Sequence, residues 1–224
     1  RAFVKVQDGC DNHCTFCVTT LARGPAHSRP RAEVIAEVGA LIAAGYQEIV
    51  LTGVHLGAYG HDLAQRDGLH ALVVALLAET DVPRLRLSSL EPWDLSPDFF
   101  DLWADSRLCR QLHLPLQSGC DAVLRRMGRR ATTADYGALV DAARARIPGL
   151  ALTTDLMVGF PGETEAEFQA SYALVESLDF ARLHVFPYSP RPGTAAARMP
   201  DPVSAQVKAE RGRVMRRLGA RQAH

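Results

Sequence analysis

Short runs rich in Val, Ile and Leu recur along this chain, separated by longer stretches in which apolar residues return every three or four positions. A short apolar run without strict alternation asks for cover on both faces, whereas a helical period supplies one buried stripe, so alternation of the two gives strand-helix units around a largely parallel sheet. Six units can be marked. The strands fall at 2–7, 48–52, 84–88, 111–114, 151–158 and 182–186, and the helices at 30–44, 69–79, 96–104, 133–146 and 163–178. Parallel neighbours need right-handed helical crossovers, and six units fall short of the closed eight. The expected fold is therefore α/β, an incomplete parallel (βα)6 TIM-like barrel with its chemistry at the C-terminal ends of the strands. This core takes residues 1–200. Residues 187–202 are Pro-rich and irregular, and 201–224 form an Arg-rich helix carrying Arg211, Arg213, Arg216, Arg217 and Arg221. A chain that opens in a strand and closes in such a helix reads as one domain of a longer protein.

Charge narrows the partners. Lys and Arg together number 25, as do Asp and Glu, so net charge draws in no polyanion and any nucleic-acid contact must come from a local patch. No apolar run approaches the roughly 18 residues of a membrane span, and no signal-peptide pattern opens the chain. A cytoplasmic monomer without membrane contact is expected. The cysteines number five, and Cys10, Cys14 and Cys17 lie within eight residues. An odd, clustered set fits metal binding better than a disulfide framework.

Those three thiols have the spacing Cys-x3-Cys-x2-Cys directly after the first strand, where a barrel of this kind places its active site. Three thiolates on a 4Fe-4S cubane leave one iron open, and a chelating amine and carboxylate can fill it. The methionine end of S-adenosylmethionine supplies both groups. Reductive cleavage of the bound sulfonium would then yield a 5'-deoxyadenosyl radical, chemistry that belongs to the cofactors. The competing reading is a closed zinc site in which His13 joins the three thiolates, as in a metal-stabilised RNA-binding module. Adjacent ligands at 13 and 14 converge awkwardly on a tetrahedron, and paired Cys-x2-Cys halves are absent.

Several further blocks accompany the loop: Ala22-Arg23-Gly24 with Ser28-Arg29-Pro30, Leu51-Thr52-Gly53-Val54-His55-Leu56-Gly57-Ala58-Tyr59-Gly60, Leu114-Pro115-Leu116-Gln117-Ser118-Gly119, and Gly159-Phe160-Pro161-Gly162-Glu163-Thr164. In order and spacing, together with Gln7-Asp8-Gly9-Cys10 through Cys17, they resemble the radical S-adenosylmethionine methylthiotransferases over nearly the whole chain. The run from Thr52 to Gly60 is most similar to the group that modifies threonylcarbamoyladenosine in tRNA. The resemblance implies transferase chemistry in tRNA processing: C-H activation and methylthiolation of N6-threonylcarbamoyladenosine beside the anticodon. Methylthiotransferases acting on isopentenyladenosine in tRNA, or on an aspartate of a ribosomal protein, are the related alternatives.

The resemblance also implies roles for single residues. Cys10, Cys14 and Cys17 would ligate the cluster. Phe16 would lie beside the adenine, or simply pack as a loop hydrophobe. Gly53 would let backbone approach the methionine amine, or serve as a turn glycine. Glu91 and Asp155 would accept from the ribose hydroxyls and the amine. Gln117 and Arg129 would hold the methionine carboxylate, although Arg129 also fits a solvated basic face shared with Arg125, Arg126 and Arg130. Ser118 and Ser189 are polar residues at strand ends in the same region. Cys109 and Cys120 read as inert small residues. Arg23, His27, Ser28 and Arg29 are the expected substrate-side residues, suited to phosphate and to splayed single-stranded bases. The implied partners are tRNA and an electron donor such as flavodoxin or ferredoxin. A second 4Fe-4S cluster, associated with sulfur supply, is expected only in a full-length protein.

Overall fold

The computed structural model describes residues 1–65 and 68–223, and the chain divides into two compact units. The first comprises Arg1–Asp11, Thr19–His113 and Ala142–Leu150; the second comprises Asn12–Val18, Leu114–Asp141 and Ala151–His224. His224, the last residue of the expected Arg-rich helix, lies outside the described residues.

The first unit opens with β1 (Ala2–Asp8) and a five-residue helix α1 (Thr19–Arg23), followed by β2 (His27–Ser28), α2 (Arg31–Ala43), β3 (Ile49–Gly53), α3 (Gly68–Glu79), β4 (Leu85–Leu87) and β5 (Gln111–His113). Its four-stranded sheet runs β2-β1-β3-β4. The pairs β1 with β3 and β3 with β4 are parallel, as the strand-helix alternation requires, while β2 adds a two-residue antiparallel edge at Gln7 and Asp8. Neither α1 nor β2 has a sequence pattern long enough to predict. Burial follows period two in β1, where Val4 and Val6 are buried and Phe3 is 67% exposed. It follows the helical period in α2, where Val34 and Val38 share one face, and in α3, where Leu69, Leu72, Val73 and Leu76 do. One expected helix differs in kind. Residues Pro97–Ala104 form a 3-10 helix, in which Phe100 and Trp103, three apart, lie on the same side and pack with ring centroids 6.4 Å apart.

The second unit contains α4 (Asp121–Met127), most of α5 (Thr133–Arg146), β6 (Ala151–Val158), α6 (Glu165–Leu178), β7 (Arg182–Pro187) and α7 (Ala205–Gln222). Strands β6 and β7 pair in parallel from Thr153 with Arg182 to Val158 with Pro187. Along β6 burial alternates, so Leu152, Thr154, Leu156 and Val158 face the core and Thr153, Asp155 and Met157 the half-open side. Buried Thr154 is fully engaged, its hydroxyl donating to Leu114 O at 2.7 Å and accepting from Leu116 N at 2.9 Å. Helix α7 is fastened by Arg211, whose Nη1 donates to Glu163 Oε2 at 2.7 Å while the guanidinium lies 5.2 Å from the Phe168 ring centroid. These two charged side chains are 7% and 2% exposed. No helix among the described residues is long and apolar enough to cross a membrane.

Helix α6 begins with a capping box: Thr164 accepts from Glu167 N, and Glu167 reaches back to Thr164 N. Arg126 of α4 grips the same carboxylate with both terminal nitrogens, at 2.9 and 2.8 Å. The Arg126 bonds lead in holding the Glu167 carboxyl down at about 2, against an opposing push from burial. A depressed acid stabilises the fold above its unfolded value and loses that contribution as pH falls through the folded one. Glu167→Gln is therefore expected to lower stability by up to about 3 kcal/mol near neutral pH, with the difference shrinking as pH falls from about 4.5 toward 2. Denaturant melts across that range check it.

Candidate active site

In the first unit the site begins at Gln7, the last buried residue of β1 at 1% exposure. Its amide nitrogen donates to Asp8 O at 2.8 Å and Gly9 O at 2.9 Å, and its amide oxygen accepts from His55 N at 2.7 Å. Gly9 has φ +72, and a Cβ there would sit 1.8 Å from Pro25 O, so only glycine fits. Cys10 N then donates to Gly24 O at 3.1 Å, which presents the cysteine from a fixed backbone.

Beyond β3, the His55 ring lies in the protein interior with Nε2 2.5 Å from Asp94 Oδ2, the two side chains being 7% and 8% exposed. A hydrogen bond also joins the ring to the Cys10 side chain. Burial works against the imidazolium, but the Asp94 bond, the Cys10 bond and the charges of both outweigh it and push the pKa up to about 10. Gly57 makes room for this pair, since a Cβ at 57 would come within 2.4 Å of Asp94 Oδ2. Sequence reasoning used His55 only as a family marker and missed Asp94 altogether. Nothing in the spacing of residues 39 apart signals such a pair.

In the second unit, Cys14 and Cys17 sit on a segment anchored by the residue between Cys14 and Phe16. Thr15 N donates to Met127 O at 2.9 Å, its hydroxyl donates to Arg126 O at 2.8 Å, and its carbonyl accepts from Ala196 N at 2.8 Å. Phe16 packs edge-on to Phe160, centroids 6.4 Å apart, beside a cluster of Val123, Met127, Tyr188 and Ala196. That is the packing of a loop hydrophobe. Arg129 donates from Nη2 to Pro115 O at 2.7 Å and from Nη1 to Cys14 Sγ at 3.9 Å, so it points at a thiol and is no free surface cation. Gln117 has φ +68, a left-handed conformation costly for a residue with a Cβ. It is held there by Gln117 N donating to Asp155 O at 2.8 Å and Met157 N donating to Gln117 O at 2.9 Å. Strain locked by flanking hydrogen bonds is a mark of functional positions.

The remaining expected residues divide by environment. Gly53 ends β3 against the Gln7 side chain, and Glu91 is half-buried just ahead of the short helix Pro92–Asp94. Asp155 lies on the half-open side of β6, so the apolar surroundings inferred for it from the sequence are those of Leu156 and Thr154 across the strand. Ser118 is buried with its hydroxyl accepting from Cys120 N, and Ser189 is exposed. On the substrate side, Arg23 and His27 are exposed beside Asp8 and Asp62. Ser28 and Arg29 are engaged within the unit: the buried Ser28 hydroxyl accepts from Gly60 N at 2.8 Å, and Arg29 pairs with Glu37. Ser28 is thus taken out of the substrate-facing set. Cys109 accepts weakly from Arg84, and Cys120 packs against the Phe160 cluster.

All five cysteines are free thiols, and no three His, Cys, Asp or Glu side chains among the described residues converge as a single metal ion demands. A cubane takes each thiolate at a different iron, so its ligands need no common point. The donor set fits such a group: a guanidinium faces Cys14 and an imidazole faces Cys10, both directing N–H toward sulfur. A closed zinc tetrahedron through His13 finds no comparable preparation.

The family model of the radical SAM superfamily matches residues 4–175. The chain belongs to the radical SAM superfamily. The radical SAM chain is 44% identical over 94% of its length to the threonylcarbamoyladenosine tRNA methylthiotransferase MtaB of Bacillus subtilis, and 42% identical over 93% to a tRNA-2-methylthio-N(6)-dimethylallyladenosine synthase of Corynebacterium urealyticum. It covers 47% and 40% of those two proteins, about half the length or less. In fold it is similar to the radical S-adenosylmethionine methyltransferase TsrM of Kitasatospora setae, solved with cobalamin and a 4Fe-4S cluster bound. That match has a TM-score of 0.71 at 23% identity, over 88% of this chain and 38% of that one. The parallel strands and this likeness agree with the partial TIM-like barrel expected of a radical SAM domain.

The backbone at 117 carries a direct test. Gln117→Gly removes the Cβ cost and is expected to leave thermal stability unchanged or higher. Gln117→Val is expected to lower stability by about 1–2 kcal/mol, read from denaturant melts.

Proposed function

We propose that this chain is the S-adenosylmethionine-cleaving core of a tRNA methylthiotransferase whose substrate is N6-threonylcarbamoyladenosine. The observation that carries this reading is the Cys-x3-Cys-x2-Cys loop following β1, in a radical SAM chain 44% identical over 94% of its length to MtaB. Cys10, Cys14 and Cys17 would hold a 4Fe-4S cluster, and the bound cluster and S-adenosylmethionine would supply reductive carbon-sulfur cleavage. Gln117 and Arg129 would orient the methionine carboxylate, with Gly53 and Ser118 close to it in role. Glu91 and Asp155 would accept from the ribose and amine, and Phe16 and Ser189 would border the nucleoside. Arg129, aimed at a thiol, would turn to the carboxylate only on cofactor binding. Arg23 and His27, both exposed, would meet tRNA in the cytoplasm, and a flavodoxin or ferredoxin would deliver the electron.

A second substrate reading rests on a specific observation: the dimethylallyladenosine enzyme is 42% identical over nearly the same length, so identity alone separates the two substrates poorly. The run Thr52 to Gly60 favours threonylcarbamoyladenosine. Because the chain spans about half of these relatives, sulfur insertion is assigned to parts of a longer protein.

The test is anaerobic reconstitution with iron and sulfide, then reduction with S-adenosylmethionine. A brown protein releasing 5'-deoxyadenosine is expected, with release falling to background in Cys14→Ala and no methylthiolated nucleoside formed by this chain alone. A colourless zinc protein giving no product would overturn the reading. Mass analysis of tRNA nucleosides from cells lacking the full-length gene then discriminates the two adenosine substrates.

A further inference from the structure

The buried His55 and Asp94 have no part in the site as proposed above, yet their placement is tightly specified. One side chain, Gln7, fixes both the backbone that delivers His55 and the peptide that delivers Cys10: its oxygen accepts from His55 N at 2.7 Å and its nitrogen donates to Gly9 O at 2.9 Å. The register of imidazole against thiol is therefore set by a single amide with 1% exposure. On the far side of the ring, Asp94 is held by its own N–H donating to Glu91 O at 3.1 Å, and the missing Cβ of Gly57 leaves room for its carboxylate. Leu56, Ala58 and Leu90, all buried, line the same stretches of chain and exclude water.

A ring placed between a carboxylate and a thiolate has an acceptor on each side, so both ring nitrogens are called on as donors. Carboxylate-histidine pairs that orient a donor toward a metal ligand are a general way of tuning a centre, and hydrogen bonds to cluster sulfurs raise its reduction potential. We infer that His55, oriented by Asp94, is a positioning residue that donates a hydrogen bond to the Cys10 thiolate and raises the reduction potential of the cluster it ligates. This rests on the reading of Cys10 as a cluster ligand. Its consequence is easier electron entry into a centre that must be reduced before S-adenosylmethionine can be cleaved.

The experiment is an EPR-monitored redox titration of the anaerobically reconstituted chain, with iron and sulfide counted for each variant. His55→Leu, which removes the donor, is expected to retain iron and shift the midpoint to more negative potential. His55→Gln, which keeps an N–H, is expected to fall between the two, and Asp94→Asn and Gly57→Ala are expected to shift it in the same direction by a smaller amount. A purely structural pair would change melting temperature and leave the midpoint unmoved. Wild-type midpoints in fully loaded His55→Leu and Asp94→Asn overturn the inference alone. If His55→Leu cannot be loaded, Asp94→Asn decides: a lowered midpoint supports the inference and an unmoved one overturns it. A wild-type chain that takes up no 4Fe-4S cluster overturns the functional reading and this inference with it.

Discussion

The amide of Gln7 is the constraint on which the first unit's share of the site depends. It ends β1 with a side chain that satisfies two backbone carbonyls and one backbone N–H, groups that would otherwise be buried without partners as the strand gives way to the cysteine loop. Because a buried amide has fixed donors and acceptors, it allows one arrangement of the turn and of the His55 backbone. Glycine at position 9 completes the restriction, as the chain passes too close to Pro25 for any side chain. The second unit solves the same problem with Thr15, whose backbone and hydroxyl bind the end of α4 and the loop at Ala196. In both cases the cysteine is placed by its neighbours' hydrogen bonds and contributes little to its own position.

Much of this was legible in the sequence because it rests on period and spacing. The alternation of apolar runs with helical stretches marks the strands and most of the helices, and α5 has the bounds expected for it. The three-cysteine spacing identifies the metal loop without any knowledge of the fold. The 3-10 helix at Pro97–Ala104 was out of reach, since Phe99, Phe100 and Trp103 satisfy an α-helical period equally well over so short a span. The Asp94 partner of His55 was equally out of reach, because two residues far apart in sequence meet only through tertiary packing.

Asp155 shows where burial inferred from sequence misleads. Its strand is apolar on average, but β6 alternates, and the carboxylate occupies the half-open side while the fully buried polar residue is its neighbour Thr154. Gln117 shows a complementary gap. Gln has no preference for left-handed backbone, so no propensity rule would place it there, and the conformation arises from its two bonds to β6.

The Arg211–Glu163 clasp on α7 bears on how the second unit responds to heat and salt. Apolar contacts gain little as temperature rises, whereas the cost of stripping water from buried charges falls, so this ion pair's share of the attachment grows on warming. Being nearly sealed from solvent, it is also poorly screened by dissolved ions. The terminal helix is thereby held by the contact in its surroundings least weakened by a warm or saline medium.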